Sequence, residues 1–416
     1  MRPLADAGTR GAAFWLIVAG STAGHVVNAG TAPAVARLAQ GPLGGDAALA
    51  GLLVSLAAIA SIAAMPIAGV LADRMGARRV LLAAGLLSAI GLVAVLLAAA
   101  SASAPSGSGT VDAPVLALAA GRIVFGAGNA AVATALTAWV VAEAPRRERG
   151  RALGLFGLSV WVGLALGPVL GENLEQVAGS GGIWSGAIAL QLLGVAAASF
   201  ARDGRASAHP AAARIRSQRT PFARHLARPG AVGFTAWAAE GFMIAFLIQH
   251  LVRQGLDAQG LLGAANVFTV FAGSVIAVRL LLGGLPDRLG PVVTARIALV
   301  VLALGLAVLA IADGFALAAL GAALIGAGYS PLFPALTLLA TGRLPAHRRS
   351  AGVGVFSALT SAGYAAGSLL GGLLVAAADE TVALLVLAAA QLLVLPLLRR
   401  TRGGTAPTAA PEPPPL

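Results

Sequence analysis

The dominant feature of this chain is a series of long apolar stretches separated by short polar segments. An α-helix needs roughly 20 apolar residues to cross the hydrocarbon core of a bilayer, and twelve stretches reach that length. They lack the alternation of polar and apolar residues that half-buried strands show. The sequence therefore predicts an all-α integral membrane protein with twelve transmembrane helices. Their approximate bounds are 13–38, 47–71, 79–101, 114–142, 150–172, 180–200, 229–252, 259–283, 291–312, 315–341, 350–376 and 380–398.

The composition excludes a soluble globular protein. Charged residues make up 11% of the chain, against about 25% in soluble domains, and the mean hydropathy is +0.88. The chain contains no cysteine, which excludes disulfides, thiolate metal ligands and cysteine nucleophiles. The first apolar stretch is too long for the core of a signal peptide, so we expect it to be retained.

The positions of the basic residues indicate the orientation of the chain in the membrane. All 28 are arginines, and the formal net charge is +12. With a cytoplasmic N-terminus, most of them share the cytoplasmic face, which is the positive-inside pattern and explains the charge better than nucleic-acid binding does. We predict a bacterial cytoplasmic (inner) membrane protein with both termini in the cytoplasm. The exceptions are Arg37, Arg122, Arg253 and Arg279.

The two halves of the chain repeat each other. A shift of 200 residues places the Gly-Ala-Gly segment at 126–128 on 326–328, and a shift of 214 places the loop at 69–76 on 283–290. Transporters built from repeated halves bind their substrates near the midplane, between the halves. We therefore predict two pseudo-symmetric six-helix bundles. The predicted units are an N-terminal bundle at 1–200, a cytoplasmic linker at 201–228, a C-terminal bundle at 229–400 and a disordered cytoplasmic tail at 401–416.

The loop at 69–79, GVLADRMGARR, combines small, acidic and basic residues at one membrane face. Its aspartate suits the positive N-terminus of a facing helix, and its arginines suit acidic groups on adjacent helix ends. Such a cluster can hold one conformation closed and release it in another. An ordinary basic turn is the alternative, but a degenerate copy, GGLPDRLG, stands at 283–290. The candidate gating residues here are Gly69, Asp73, Arg74, Gly76, Arg78, Arg79, Asp287 and Arg288.

The fifth apolar stretch carries glycines at fixed intervals. Gly154 is followed by Gly163, by the pair Gly167-Pro168 and by Gly171. The glycines give a smooth helix face and the proline bends the helix, which suits rocking between two states. Plain packing of small residues is the alternative. From this stretch, Gly163, Gly167, Pro168 and Gly171 are candidate gating residues.

These patterns resemble the signatures of the major facilitator superfamily. The loop at 69–79 is similar to the family form G-x-L-x-D-R-x-G-R-R, and the segment at 122–128 to R-x-x-x-G-x-G. The glycine spacing of the fifth stretch resembles that of the exporter, or antiporter, branches, although Glu172 stands where their form has a second glycine. The resemblance covers essentially residues 10–400. It implies the twelve-helix fold of this family and transport by alternating access.

A charge at the bilayer centre costs about 2.5–3.5 kcal/mol on insertion scales, so each intramembrane charge is a functional candidate. Arg122 has no counterpart in the second half, where the shift of 200 gives Ala322, and related families place a coupling or substrate-binding arginine there. Glu240 lies in the middle of the seventh stretch and could exchange a proton. His25 and Asn28 share one face of the first helix, and histidine titrates near neutrality. These four residues form the predicted substrate and proton-coupling site; packing, or for arginine an extension to the interface, is the alternative.

Other residues receive weaker assignments. Arg279 is expected to pair with Glu240 or to reach the cytoplasmic interface. Glu172 lies near the outer end of its helix, where solvent is available. Gln249 and His250 are interpreted as interfacial. Tyr329 and Pro331 mark a bend in the tenth stretch. For Trp139, Trp161 and Trp237, packing or interfacial anchoring is favoured over lining an apolar cavity.

The favoured function is proton-driven efflux of a small organic molecule. The alternative is a symporter or uniporter that imports a small solute, with Arg122 bound to an anionic group; a non-transporting membrane sensor is a third possibility. No phosphate-binding loop, HExxH motif or GxSxG motif is present. We therefore expect no enzymatic activity, no cofactor and no metal. The expected partners are substrate, protons and the lipid bilayer, the expected state is a monomer, and the substrate itself cannot be read from the sequence.

Overall fold

The computed structural model describes residues 11–102, 112–143, 149–201, 222–282, 285–342, 344 and 349–398. The predicted tail at 401–416 and most of the predicted linker lie outside these residues. Within them, every regular element is helical. The helices are α1 Ala12–Gln40, α2 Ala47–Met75, α3 Ala77–Ala102, α4 Asp112–Glu143, α5 Arg149–Ser199, α6 Phe222–Arg253, α7 Asn266–Leu282, α8 Leu285–Leu289, α9 Pro291–Ala310, α10 Phe315–Thr341, α11 Arg349–Ala377 and α12 Glu380–Leu393, followed by a 3-10 turn at Leu395–Leu397.

The helices of the described residues match the twelve predicted membrane stretches. Ten of them are long and apolar enough to cross a membrane, and α7 is a shorter apolar helix of 17 residues. The 51-residue α5 is two helices joined at Gly179, whose φ of 67° breaks the helical path. It therefore carries both the fifth and the sixth predicted stretch. The prediction of an all-α fold with twelve transmembrane helices is confirmed.

Two predicted helix starts were wrong by seven residues. Helix α6 begins at Phe222, inside the predicted linker, rather than at 229. Helix α7 begins at Asn266 rather than at 259, because the preceding segment forms turns. Gly255 and Gly260 there have φ values of 94° and 85°, which belong to the left-handed region that a continuing α-helix does not use.

Glycine contacts between helices show that the halves share one packing scheme. In the first half Gly126 of α4 lies against the backbone of Ala57 in α2, and in the second half Gly326 of α10 lies against the backbone of Phe271 in α7. The same two sequence shifts, 200 and 214, relate both partners of each contact. The repeat therefore extends from sequence to three-dimensional packing.

The halves are in close contact at one end of the bundle. We call the end at which α1 ends and α2 begins the loop end, and the opposite end, at which α5 ends and α6 begins, the linker end. Near the loop end, Gly51 of α2 lies against the backbone of Ser368 and Gly372 in α11. There too, the Gln249 amide of α6 donates to the Pro33 carbonyl of α1 at 3.4 Å. The described structure is thus closed between the halves at its loop end.

Candidate functional site

His25 lies at the contact between α1 and α5, within the first half. Its Nδ1 donates to the Ser21 carbonyl at 2.7 Å, which leaves Nε2 as the ring nitrogen able to accept a proton. The Ser21 hydroxyl lies 2.8 Å from that of Ser159 in α5, and His25 packs directly on Gly163. Asn28, one turn further on, is half-buried. The two residues lie one turn apart on α1, and His25 is the one that packs against α5.

The predicted gating glycines of α5 pack against α1. A side-chain carbon on Gly167 would lie 2.8 Å from the Gly30 backbone nitrogen, and one on Gly171 would lie 2.8 Å from the Gly30 carbonyl oxygen. Pro168 lies inside this helix and removes one backbone donor. The glycine spacing therefore allows close backbone packing inside one half. Its predicted part in gating remains a prediction.

Arg122 is buried between α4 and α2, with an exposed fraction of 2%. Its Nε and one terminal nitrogen donate to the carbonyls of Leu53 and Val54, each at 3.3 Å. Its guanidinium carbon lies 5.4 Å from the centroid of the Phe125 ring on the same helix. No ion pair of Arg122 is among those formed by the described residues. The guanidinium is therefore held by backbone carbonyls of α2, the helix that contacts the other half at the loop end.

Glu240 lies half-buried in the middle of α6. Two tyrosines, Tyr329 of α10 and Tyr364 of α11, lie within electrostatic range of its carboxyl group, and the Tyr329 hydroxyl donates to the Ala236 carbonyl. Tyr364 lies within electrostatic range of Arg122 as well. Two of the four predicted site residues, one from each half, thus act electrostatically on the same tyrosine, whereas His25 lies against α5. The sequence did not single out Tyr364, which carries no motif.

The glycine turns of the loop motif recur in both halves. Gly76 and Gly290 have φ values of 89° and 80°, a region that other residues rarely adopt. Gly69 lies near Thr134 of α4. The side chains of Asp73 and Asp287 lie outside the described residues. Exposed arginines complete the motif at Arg74, Arg78, Arg79 and Arg288.

Two predictions at the loop end need correction. Glu172 is not solvent-exposed but buried at 4% exposure, because Arg37 pairs with it at 2.6 Å. Arg37 also pairs with Glu175. The Gln259 amide, from the second half, donates to the Glu172 carbonyl at 3.1 Å. His250 is not interfacial but buried, with Nε2 3.1 Å from the Leu309 carbonyl oxygen.

A cluster of aromatic rings lies between α5, α6, α7 and α10. Trp161 contacts Phe271 edge-on with centroids 5.9 Å apart, and Phe271 contacts Tyr329 at 5.7 Å. Trp237 contacts Tyr329 and Phe333, each at 5.6 Å. Edge-on geometry is the favoured arrangement of aromatic pairs. The cluster extends from the neighbourhood of Glu240 toward the linker end, and only its two tryptophans and Tyr329 were considered from the sequence.

Arg279 of α7 lies at the linker-end side of this cluster. Its guanidinium carbon is 5.9 Å from the centroid of the Trp161 ring. Of the ion pairs among described residues, none joins Arg279 to Glu240. A cavity of about 290 Å³ adjoins it, lined by Arg279, Leu282, Ser330, Pro331, Phe333 and Pro334.

Two repeated helical bundles, with ionisable side chains at the centre and a closed contact at one end, define a multi-pass membrane transporter. The family model of the Major Facilitator Superfamily matches residues 14–347 and 267–415. The chain belongs to this superfamily, as the sequence motifs indicated.

Its curated relatives are described at the same level. The chain is 29% identical over 321 residues to the uncharacterized MFS-type transporter YhhS of Escherichia coli strain K12, covering 76% of this chain and 74% of the relative. An uncharacterized MFS-type transporter of Pseudomonas aeruginosa strain LESB58 is 30% identical with the same coverage.

Solved structures agree on the fold. A transporter of the POT family, in complex with a thioalcohol-conjugated peptide, superimposes with a TM-score of 0.74 at 12% identity and covers 92% of this chain and 95% of its own. The nucleoside transporter NupG gives a TM-score of 0.69 at 15% identity, covering 93% and 98%. At these identities the likeness supports the shared architecture only.

Proposed function

We propose that this transporter exports a small organic molecule in exchange for protons, by alternating access, as a monomer in the bacterial inner membrane. The observation that carries the proposal is Glu240, a half-buried carboxyl in the middle of α6 that forms none of the ion pairs found among described residues. Intramembrane carboxyls of this kind recur in the proton relays of pumps and transporters.

The proton changes the cost of moving Glu240 between environments. A charge at the bilayer centre costs about 2.5–3.5 kcal/mol on insertion scales, and a bound proton removes that charge. Tyr329 and Tyr364, on two other helices of the same half, lie within electrostatic range of Glu240, and the Tyr329 hydroxyl donates to the Ala236 carbonyl. Protonation then favours the conformation in which this region is driest, and substrate binding favours release of the proton.

Arg122 links the protonation of Glu240 to the contact between the halves. Its bonds to Leu53 and Val54 fix α4 to α2, and α2 packs on α11, the helix of Tyr364. His25 and Asn28 of α1 add polar side chains from the first half, whereas Glu240 lies in the second. With the predicted orientation, the closed loop end faces away from the cytoplasm, which supports assigning the described conformation to the inward-facing state.

The opening of the loop end is proposed to require separation of Gln259 from the Glu172 carbonyl. The ion pairs of Arg37 with Glu172 and Glu175 remain within the first half. The glycine-packed pair α1 and α5 then moves as one body.

Purified full-length protein in proteoliposomes tests the proposal. A library of small organic molecules is first screened by thermal shift. For each hit, the accumulation of the solute in the vesicles is then measured, and a pH-sensitive dye inside the vesicles reports the accompanying movement of protons. We expect an imposed proton gradient to drive accumulation of at least one hit, and Glu240→Gln to abolish that accumulation while exchange of substrate without a gradient continues.

The matched control is Asp313→Asn, which removes a carboxylate from the exposed turn between α9 and α10. It should leave proton-driven accumulation unchanged. Undiminished proton-coupled flux in Glu240→Gln would refute the role of Glu240. If the solute moves in the same direction as the protons, the protein is a symporter that imports its solute, and the export proposal is wrong.

A further inference from the structure

The guanidinium of Arg279 borders the linker-end cavity without an acidic partner among the described side chains. It is half-buried, and the ion pairs of the described residues involve other arginines. The ring of Trp161 lies beside it, with its centroid 5.9 Å from the guanidinium carbon. An aromatic face attracts a cation but accepts no strong hydrogen bond. The N–H groups of Arg279 are therefore available to a ligand.

Arg122 provides a comparison within the same molecule, because its guanidinium is already hydrogen-bonded to the protein. It is 2% exposed and donates to two carbonyls of α2. No hydrogen bond of this kind from Arg279 is found within the described part of the chain. Of these two arginines, Arg279 is the one that lines the cavity and that a solute there can reach.

The remaining walls of the cavity are largely apolar. Phe333 lines it and contacts Trp237 at 5.6 Å, so the cavity adjoins the aromatic cluster that extends toward Glu240. Ser330 adds a hydroxyl on α10. Small-molecule sites in proteins combine such apolar walls with a few polar groups that fix orientation. A volume of about 290 Å³ suits a small organic molecule.

We propose that Arg279 binds the anionic group of the transported molecule, and that this molecule is an organic anion, a carboxylate or an acid of similar geometry, with an aromatic or otherwise apolar body. The guanidinium offers paired N–H groups that match two carboxylate oxygens. The apolar body lies against Phe333 and the neighbouring rings. The inference rests on the proposed transport function, and assigns its substrate class and the residue that selects it.

Heavy-atom quenching of tryptophan fluorescence tests this binding directly. The probes are para-bromophenylacetate, para-bromophenylpropionate and a bromonaphthoate, each compared with its uncharged primary amide. Purified full-length protein in detergent is titrated with each. At least one carboxylate should quench saturably and bind about tenfold or more tightly than its amide, since bonds to charged groups have this magnitude.

Substitutions then locate the site. Arg279→Gln should weaken carboxylate binding about tenfold or more and leave amide binding within about twofold, whereas Arg279→Lys should retain part of the difference. Trp161→Phe should lower the maximal quench, because it removes the fluorophore beside Arg279. The matched control is Arg296→Gln, which removes an exposed arginine of α9 in the same half and should bind like the parent. Size-exclusion profiles confirm that each variant is folded.

Several results would overturn the inference: no saturable carboxylate binding, equal binding of the amides, equal loss in Arg296→Gln, or an unchanged quench in Trp161→Phe. Failure of the proposed function is separable. Arg279-dependent carboxylate binding without proton-coupled flux supports the inference and removes proton-driven export. Glu240-dependent flux of a neutral or cationic solute, without carboxylate binding, supports proton-driven export and removes the inference about Arg279.

Discussion

The two halves of this transporter share a backbone scheme but differ in chemistry. The shifts that relate Gly126 to Gly326 also relate their contacts, Ala57 and Phe271. Arg122, however, stands where the second half has Ala322, which is fully buried. The skeleton is repeated because close helix crossings tolerate only small residues.

The contact pattern also identifies the counterpart of Glu240. Gly163 packs on His25 in the first half, and Gly363 packs on Phe234 in the second. This relation, a shift of 209 between α1 and α6, places Thr31 opposite Glu240. The Thr31 hydroxyl donates to the Val27 carbonyl at 2.7 Å, which is ordinary helix packing. Each half thus uses its central positions differently, and the second half holds the cavity beside Arg279 and every ring of the aromatic cluster except Trp161.

The largest expected effect on stability concerns the shared crossings. A side-chain carbon at Gly126 or Gly326 would overlap the backbone of the facing helix, so Gly126→Ala and Gly326→Ala should each lower the free energy of unfolding by about 1–3 kcal/mol. Reversible unfolding by SDS titration in mixed micelles measures this quantity. If the halves are equivalent in packing, the two losses should be similar.

Matched controls are available in both halves. Nothing lies within 4 Å of a side-chain carbon built on Gly157 of α5 or Gly354 of α11. Substitution by Ala there should raise stability by up to about 1 kcal/mol, because alanine is the better helix former. A loss confined to one of the two crossing glycines would break the structural equivalence of the halves.

The next effect concerns the two glycine turns. Gly76→Ala and Gly290→Ala force a side chain into a backbone conformation with φ values of 89° and 80° and ψ values of 145° and 152°, which is essentially confined to glycine and costs other residues roughly 1–3 kcal/mol. The side-chain carbon itself meets nothing within 4 Å at either position. The same SDS titrations should show equal losses at the two turns. Unchanged stability at either one would mean that the turn relaxes without cost.

Much of the fold was predictable because hydropathy and helix length are local properties. The errors arose where local signals conflict with geometry. Exposed leucines at Leu261 and Leu262 extended the apolar pattern before α7, although glycine turns precede the helix. Near the start of α6, Arg224 and Arg228 interrupt the apolar pattern, so the predicted start fell after Phe222, where the helix begins.

The site was less predictable because its assembly depends on contacts between distant segments. Intramembrane charge marked Arg122 and Glu240, but nothing in the sequence indicated that Tyr364 lies within electrostatic range of both. Nor did it distinguish an arginine bound to carbonyls from one that borders a cavity. That difference depends on the backbone of α2 and the face of Trp161, which lie far away in sequence.

The smallest change expected is in the affinity of Arg122→Gln for the brominated carboxylates. Because Arg122 is committed to the carbonyls of Leu53 and Val54, its loss should leave their dissociation constants within about twofold, against tenfold or more for Arg279→Gln. Proton-driven flux should nevertheless fall, since α2 loses two of its hydrogen bonds to α4. Fluorescence titration beside flux measurements on one preparation separates the two effects. A tenfold loss of carboxylate affinity in Arg122→Gln would move the anion site to the first half and reverse the division of chemistry between the halves.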